Sequence, residues 1–306
     1  MLQKLPILAV LSFLFSYLLT PATLPLCRTV GAIDYPDGKR KINTSPTPRL
    51  GGLGFFFASF IFLSPFAARD PFVAALLSGG AILVAGGFAD DSFGIKPFPK
   101  FLIQGAAALI TAFIIDLPSE VSFFGIIRFP LTGVVGFLFV VFRIIFTINA
   151  VNFSDGLDGL ASGLSIVAFT SLAVYGFINL NMVGAISSVI LAAAVLGFIP
   201  YNRYHAKLFM GDSGSQFLGL AIALMSLANS PGHNYTLETS LFLAVPALDT
   251  TLSVIRRLIK RKSPFAADKG HLHHILLKAG IPHPFAVNIL VSLSAITAFI
   301  TLLFVV

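Results

Sequence analysis

Residues 160–199 read LASGLSIVAFTSLAVYGFINLNMVGAISSVILAAAVLGFI, without a single Asp, Glu, Lys, Arg or His. A helix needs about 20 mostly apolar residues to cross the hydrocarbon core of a bilayer. The stretch is therefore long enough for two crossings, and we divide it into predicted spans Leu160–Ile178 and Met182–Ile199.

The rest of the chain has the same character. Of the 306 residues, 56% are hydrophobic and 11% are charged, and the mean hydropathy is +0.92. So few charges cannot cover a water-facing surface, which excludes an ordinary soluble domain. A single Cys excludes a disulfide framework and a thiolate metal cluster. We expect an all-α, polytopic integral membrane protein with about ten transmembrane helices, forming one domain over residues 1–306. The other eight predicted spans are Leu5–Leu26, Leu50–Ala68, Phe72–Ala89, Phe101–Ile115, Phe129–Ile148, Ser213–Leu227, Leu241–Ile255 and Phe285–Val306.

The basic residues predict how the spans are oriented. Sixteen of the 20 Lys and Arg residues fall in loops that follow odd-numbered spans, and three fall on the other side. Cytoplasmic loops carry such an excess, so these loops are expected in the cytoplasm, with both termini outside a cell membrane. Arg143, the remaining basic residue, is expected to snorkel from near the inner end of the fifth span. The net charge of +7 is thus mainly an orientation signal, and no nucleic-acid partner is expected.

The second and third inner loops carry carboxylates and amides. Asp90 and Asp91 stand together ahead of Lys100, and the segment 149–159 reads NAVNFSDGLDG. Carboxylate and amide oxygens are ligands suited to Mg²⁺ rather than to zinc. The alternative for each Asp alone is a helix cap, since Asp is favoured near helix N-termini.

The fourth inner loop ends in the sequence GDSGS at residues 211–215. This sequence opens a predicted span, so the positive end of the helix dipole would face the cytoplasm. Free amides at that end are predicted to hold a phosphate, and Asp212 is predicted to hold a bridging metal. The alternative is again an Asp or Ser N-cap with Gly in a turn.

The fifth inner loop combines a basic run with the sequence HLHH at residues 271–274. The basic run, which includes Arg256, is typical of an orientation anchor or a patch that binds anionic lipid. His271 and His274 are three residues apart and can share a helix face. Without a Cys nearby, phosphate binding or proton handling fits these histidines better than zinc binding.

Carboxylates for a metal, cations for phosphate oxygens and helix N-termini for anions are the components of phosphoryl transfer. Their shared position at the inner membrane face predicts a soluble anionic donor from the cytoplasm and an acceptor that resides in the membrane.

These loops resemble those of the polyprenyl-phosphate N-acetylhexosamine-1-phosphate transferases. The similarity spans nearly the whole chain and rests on five motifs in the family's order. They are Pro48–Gly52, Asp90-Asp91 with Lys100, Asn149–Gly159, Phe209–Ser215 and Ser263–His274. The resemblance implies Mg²⁺-dependent transfer (Mn²⁺ as a substitute) of a sugar 1-phosphate from a UDP-sugar to undecaprenyl phosphate, releasing UMP. This reaction would be the first membrane step of cell-envelope glycan synthesis, and the enzyme is expected to be a homodimer.

The resemblance also assigns roles to individual residues. The expected catalytic residues are Asp90, Asp91, Asp158, His271, His273 and His274. The expected substrate-binding residues are Lys100, Asp155, Asn202, Phe209, Arg256 and Arg49, with Phe209 stacking on uracil. The expected metal ligands are Asp212 and Asn152. The histidine motif is closer to the N-acetylhexosamine branch of the family than to the muramyl-pentapeptide branch, which favours a small UDP-N-acetylhexosamine donor.

Two other classes remain open on the residues alone. An intramembrane prenyltransferase also uses Asp-rich loops and Mg²⁺, but its carboxylates are normally spaced to grip one diphosphate. A polytopic transporter would more often place its polar groups within the spans, near the midplane.

Overall fold

The computed structural model describes residues 2–36, 45–231, 234–261 and 270–305. Twelve α-helices lie in these ranges. They are α1 (Leu5–Ala22), α2 (Leu24–Val30), α3 (Gly52–Ala67), α4 (Pro71–Phe93), α5 (Pro97–Ile114), α6 (Gly133–Ser154), α7 (Leu160–Ile178), α8 (Met182–Asn202), α9 (Gly211–Ala228), α10 (Ala244–Ile259), α11 (Leu272–Lys278) and α12 (His283–Val305). The predicted all-α class is confirmed.

Local sequence signals set several of these helix starts. The Asp70 side chain accepts a hydrogen bond from Val73 N at 3.0 Å, and Pro71 occupies the first helical position of α4. Asn181 caps α8 in the same way through Gly184 N, also at 3.0 Å. Such caps satisfy amides that have no partner inside the helix.

Within the described ranges, seven segments are long and apolar enough to cross a membrane by length and composition. They are Leu2–Val30, Pro71–Phe93, Pro97–Ile114, Gly133–Ser154, Leu160–Ile178, Met182–Asn202 and His283–Val305. Each of the ten predicted spans overlaps a helix, whereas the number ten itself stays a prediction. The chain is therefore a multi-pass membrane protein.

Helix α9 lies at the centre of the bundle. All of its residues except Asp212 are buried, and it packs against α3, α4, α6, α7 and α8. Glycines on α4 permit this close packing. A Cβ on Gly80 would lie 3.0 Å from the Phe217 ring, and one on Gly87 only 2.3 Å from Ser213 N. The small side chains let the backbones approach, as in other membrane helix pairs.

The described ranges also contain five short strands that the sequence patterns did not predict. Strands β1 (Ile33–Asp34) and β2 (Thr47–Pro48) form an antiparallel pair. The other three form one sheet in the order β4-β3-β5: β3 (Glu120–Phe123), β4 (Ile127–Pro130) and β5 (Asn234–Thr236). Strand β3 pairs antiparallel with β4 and parallel with β5.

The sheet corrects the predicted fifth span. Phe129 and Pro130 belong to β4, and α6 runs from Gly133 to Ser154 rather than from Phe129 to Ile148. Apolar composition could not distinguish the strand from the start of the helix, because both are apolar.

The same shift corrects the prediction for Arg143, which does not snorkel. This residue is 7% exposed in the middle of α6. Its guanidinium donates to Tyr235 Oη at 2.7 Å, Thr147 Oγ1 at 2.8 Å and Ser226 Oγ at 3.3 Å. These hydroxyls replace the water that the buried cation would otherwise need.

Candidate active site

The described parts of the five motifs lie together at one end of the helices. Three backbone hydrogen bonds join the first to the fourth: Phe209 N to Pro48 O (2.8 Å), Gly51 N to Phe209 O (2.9 Å) and Gly52 N to Met210 O (3.0 Å). Contacts between α3 and α9 are so close that a Cβ on Gly52 would lie 2.4 Å from Gly214 Cα. This pairing brings Arg49 and Phe209 to one cavity.

Asp91 fixes the N-terminus of α9. Its Oδ1 accepts from Asp212 N at 3.0 Å, and its Oδ2 accepts from both the amide and the hydroxyl of Ser213 at 3.1 Å. Arg49 Nη2 lies 3.5 Å from Asp91 Oδ1. Asp91 is 5% exposed, so this carboxylate positions α9 rather than facing the cavity.

This capping overturns one prediction. The amides of Asp212 and Ser213 were expected to be free to hold a phosphate, but the Asp91 carboxylate already occupies them. The helix dipole attracts an anion as expected, and the anion is a side chain from α4.

Asp212 projects from the first turn of α9 into a set of donors. Its Oδ2 contacts the Lys100 ammonium and accepts from Gln216 Nε2 at 3.3 Å, while its Oδ1 accepts from Asn152 Nδ2 at 3.1 Å. Lys100 also lies 3.4 Å from Asp90 Oδ2. The ammonium thus bridges two carboxylates that come from different helices.

A hard cation fits this donor set. The bridging by Lys100 shows that the Asp90 and Asp212 carboxylates converge on a position that favours positive charge, and carboxylate and amide oxygens are suitable ligands for Mg²⁺. Asn152 presents its amide nitrogen to Asp212 and to Ser215 Oγ (2.8 Å); to serve as a ligand, it would turn its oxygen toward the cation. In the described ranges, no group of three or more His, Cys, Asp or Glu side chains is arranged to enclose a metal ion.

A cavity of about 290 Å³ lies beside Asp212. Nine of the fourteen predicted site residues line it: Arg49, Asn152, Asp155, Asp158, Asn202, Phe209, Asp212, His273 and His274. Among the other lining residues, Asp34 and His283 carry titratable side chains and were not predicted. The remaining five predicted residues do not line it; they are Asp90, Asp91, Lys100, His271 and Arg256.

Two predicted residues on the cavity wall are held by hydrogen bonds. Asn202 accepts from Ser162 Oγ at 2.7 Å and donates to Leu208 O at 3.3 Å. Asp158 Oδ2 accepts from Ala206 N at 3.0 Å. Both side chains therefore shape the loop that leads from α8 to Phe209.

Asp155, which directly follows α6 on the cavity wall, has a strongly shifted pKa. Loss of surrounding water raises its pKa well above the ordinary value, the Arg49 charge opposes this, and the carboxylates of Asp91 and Asp158 raise the pKa further. A protonated Asp155 would be able to donate a hydrogen bond to a ligand in the cavity.

The histidine motif occupies the opposite wall. His273 is 3% exposed and packs so closely on the third segment that a Cβ on Gly156 would lie 2.4 Å from its Nε2. Burial, together with His274 and His271, lowers the pKa of His273 to about 3. This ring is therefore neutral near pH 7.

The structure modifies the expected pairing of His271 with His274. His271 precedes α11 with an extended backbone (ψ 150°), and its ring stacks on His273 with centroids 5.7 Å apart. Behind it, Arg256 Nη2 donates to Ser253 Oγ at 2.9 Å. Residues 263–269, the first part of this motif, lie outside the described residues.

Sequence reasoning missed two polar residues that support the site. Gln216 donates to Asp212 and accepts from Gln104 Nε2 at 3.3 Å. Asp249 bonds to His271 at 2.8 Å. Their position in the sequence could have identified them. Each is a polar side chain inside an apolar predicted span, where a polar group without a partner is energetically costly.

Comparison with known proteins identifies the family of this chain. The family model described as glycosyl transferase family 4 matches residues 73–230. A "Probable undecaprenyl-phosphate N-acetylglucosaminyl 1-phosphate transferase" from Bacillus subtilis is 33% identical over 95% of this chain and 83% of the relative. The "Decaprenyl-phosphate N-acetylglucosaminephosphotransferase" of Mycolicibacterium smegmatis is 33% identical over 97% of this chain and 81% of the relative. The "Undecaprenyl-phosphate alpha-N-acetylglucosaminyl 1-phosphate transferase" of Escherichia coli is 30% identical over 88% of this chain and 75% of the relative. The resemblance seen in the loop motifs is thereby confirmed, and the chain belongs to glycosyl transferase family 4, among the polyprenyl-phosphate N-acetylglucosaminyl-1-phosphate transferases.

Proposed function

We propose that this protein transfers N-acetylhexosamine 1-phosphate from a UDP-sugar to a polyprenyl phosphate. The observation that carries the proposal is the convergence of Asp212, Lys100 and Asp90 beside a polar cavity at one end of a membrane-embedded helix bundle. A phosphoryl-transfer site needs this combination of carboxylates and a cation. The relatives' names identify the donor sugar and the lipid acceptor of those proteins, and we extend both to this chain.

In this reaction, an oxygen of the polyprenyl phosphate attacks the phosphorus that carries the sugar. The bond from that phosphorus to the oxygen bridging the two phosphates breaks, and UMP leaves with the bridging oxygen. A phosphate monoester is largely ionised near neutral pH, so the acceptor needs positioning more than deprotonation. Lys100, within reach of both Asp90 and Asp212, is suited to hold phosphate oxygens during this transfer.

Mg²⁺ is the proposed cofactor, with Mn²⁺ as a substitute. Asp212 and Asn152 would hold it, with Asp90 close by. Bound there, the ion would neutralise the charge that develops on the diphosphate. Mg²⁺ usually keeps several waters or phosphate oxygens as ligands, which is compatible with the few protein ligands at this site.

Phe209 is the proposed uracil-stacking residue. It is half-buried and lines the cavity, and the segment that carries it is held by backbone bonds to Pro48 and Gly51. An aromatic ring on a fixed backbone offers a face for stacking at low entropic cost. Asp155, Asp158 and Asn202 form the neighbouring wall of the proposed nucleotide pocket.

We further propose that the site end of the bundle faces the cytoplasm and that both termini lie outside. The basic residues support this orientation, and a UDP-sugar donor would reach the site from that compartment. We also propose that the protein is a homodimer, and native mass measurement in detergent tests this.

The test of the proposed function is UMP release by the purified protein in detergent. Undecaprenyl phosphate, Mg²⁺ and a panel of UDP-N-acetylhexosamines would be supplied, with each component omitted in turn. Release that requires lipid, metal and one donor would establish the reaction and identify the sugar. Substrate flux across proteoliposomes without UMP release would instead support a transporter, and prenyl transfer with release of diphosphate would support a prenyltransferase.

A further inference from the structure

Asp249 is a buried carboxylate on α10 that has no role in the function proposed above. The residue is 6% exposed. Its Oδ2 lies 2.8 Å from His271 Nδ1, and its Oδ1 accepts a hydrogen bond from Leu272 N at 2.8 Å. Both oxygens are therefore directed at the start of the histidine motif, 22 residues further along the chain.

The contact with His271 favours one tautomer of that ring. An ionised carboxylate only accepts hydrogen bonds, so the Nδ1 atom of His271 must carry the hydrogen. The Nε2 atom is then the ring's open nitrogen when the ring is neutral. Ser253 Oγ lies 3.3 Å from the same Nδ1, and the Phe153 ring lies beside the imidazole at 5.5 Å between centroids. The ring is thus fixed from three sides.

The contact with Leu272 attaches a short helix to the bundle. Leu272 is the first residue of α11, a helix of seven residues. Helices this short are not stable alone in water, so α11 depends on tertiary contacts for its position. His273 and His274, which line the cavity, follow Leu272 directly on this helix.

A carboxylate is a costly means of merely filling space in a helix core. Burying it requires partners that replace water, and apolar residues of similar size often serve stability equally well. Asp249 instead meets two donors that both belong to the histidine motif. One carboxylate oxygen contacts the His271 ring and the other accepts from the first residue of α11. This arrangement indicates that Asp249 orients the histidine motif rather than merely filling space.

We propose that Asp249 is a positioning residue for the transfer reaction: it fixes the tautomer and direction of His271 and anchors His273 and His274 at the cavity. The inference rests on the proposed function. Asp249 is not placed in contact with substrate and acts through the histidines, as carboxylates behind catalytic or metal-bound histidines do.

The test compares Asp249→Ala and Asp249→Asn with a matched control, Thr250→Val. Thr250 is buried next to Asp249, and its hydroxyl has no hydrogen-bond partner in the described part of the chain. We expect Asp249→Ala to lower kcat about 100-fold, the upper range for loss of such a supporting group, with KM for donor and acceptor within about 3-fold of wild type. Asp249→Asn keeps an acceptor oxygen for Leu272 N, so its kcat should lie between that of Asp249→Ala and that of the wild type. Thr250→Val should retain wild-type kinetics.

A double-mutant cycle with His271→Ala separates positioning from packing. If Asp249 acts through His271, Asp249→Ala should cause little further loss of kcat in the His271→Ala background. Full additivity of the two losses, or a fall in thermal stability with unchanged kcat, would overturn the proposal.

Nitrogen NMR of ¹⁵N-histidine-labelled protein gives a readout that does not depend on turnover. The wild type should show a His271 signal with hydrogen on Nδ1, and Asp249→Ala should lose or redistribute that hydrogen. An unchanged signal would show that Asp249 does not fix the ring. If the wild type released no UMP with any donor, the proposed function would fail, and the assignment of Asp249 to that reaction with it; the NMR result would still decide the Asp249–His271 contact.

Discussion

Replacing Gly87 by Ala should test whether contact between α4 and α9 sets the geometry of the site. Gly87 lies one turn before Asp91 on α4. A Cβ at this position would lie 2.3 Å from Ser213 N and 2.4 Å from Ser213 Cα, and ordinary contacts begin near 3.4 Å. Both atoms belong to backbone, which cannot rotate away, so α4 and the start of α9 must separate by about 1 Å.

A separation of this size would break the capping of α9. The bonds from Asp212 N and Ser213 N to Asp91 are 3.0 and 3.1 Å long, and a hydrogen bond is effectively lost beyond about 3.6 Å. Asp212 would shift with its helix relative to Lys100 and Asp90. A misplacement of about 1 Å can cost about 100-fold in rate, so we expect kcat to fall by about that factor.

The effect on stability should be smaller than the effect on rate. Overpacking costs about 1–3 kcal/mol, whereas Gly→Ala within a helix contributes up to about 1 kcal/mol in return. The assay is the initial rate of UMP release beside thermal unfolding in the same detergent. Gly105→Ala on α5 is the matched control, because a Cβ there has nothing within 4 Å; it should keep the wild-type rate. A folded Gly87→Ala protein with wild-type kcat and metal dependence would refute the reasoning.

Three further predictions concern the metal, the pH response and the topology. Asp212→Asn keeps the shape of the side chain but removes its charge, and it should lower metal-dependent turnover by more than about 100-fold; retained activity at ordinary Mg²⁺ would remove Asp212 from the cation site. The pKa of His273 is lowered to about 3 in the folded protein, whereas the same side chain in the unfolded chain has a pKa near 6.5. Between pH 3 and pH 6.5, the unfolded chain therefore binds one more proton than the folded chain. The stability that neutral His273 contributes is therefore complete above pH 6.5 and is lost as the pH falls toward 3, with a limiting slope of about 1.4 kcal/mol per pH unit. His273→Gln should flatten this slope in unfolding measurements from pH 7 to pH 4, and an unchanged slope would contradict the cause given for the shift. For topology, Lys207→Cys and Arg128→Cys place exposed thiols at opposite ends of the bundle, while the native Cys27 is fully buried. An impermeant thiol reagent should label the first from the cytoplasmic side alone and the second from outside alone, and the reverse pattern would invert the proposed orientation.

Much of the site was accessible from sequence because its residues cluster in short motifs. Asp212 and Asn152 were both predicted near one cation, and the structure brings them within 3.1 Å. The two residues are 60 positions apart in the chain. Both follow odd-numbered predicted spans, and loops after such spans were predicted to lie on the same membrane face. Nine predicted residues consequently line a single cavity.

The errors have a common physical origin in contacts that sequence spacing does not encode. The amides of α9 were expected to be open, but Asp91 lies 121 residues away in the chain and occupies them. Arg143 was expected at the interface, but hydroxyls from α6, α9 and β5 surround it in the interior. In each case, the outcome depends on which side chains of other elements lie within hydrogen-bond distance of the polar group.

The sequence by itself determined the solvent and the class of fold. Long uncharged runs require a bilayer, and inside a bilayer a helix is the simplest structure that satisfies its own backbone hydrogen bonds. The motifs also determined which residue types meet at one membrane face. The tertiary structure decided how they are used: close approach at glycines such as Gly87 sets which carboxylate caps α9, and the packing of α10 on the histidine motif gives Asp249 its partners. The physical reason is that a buried polar group must find its partner among neighbours that only helix packing supplies.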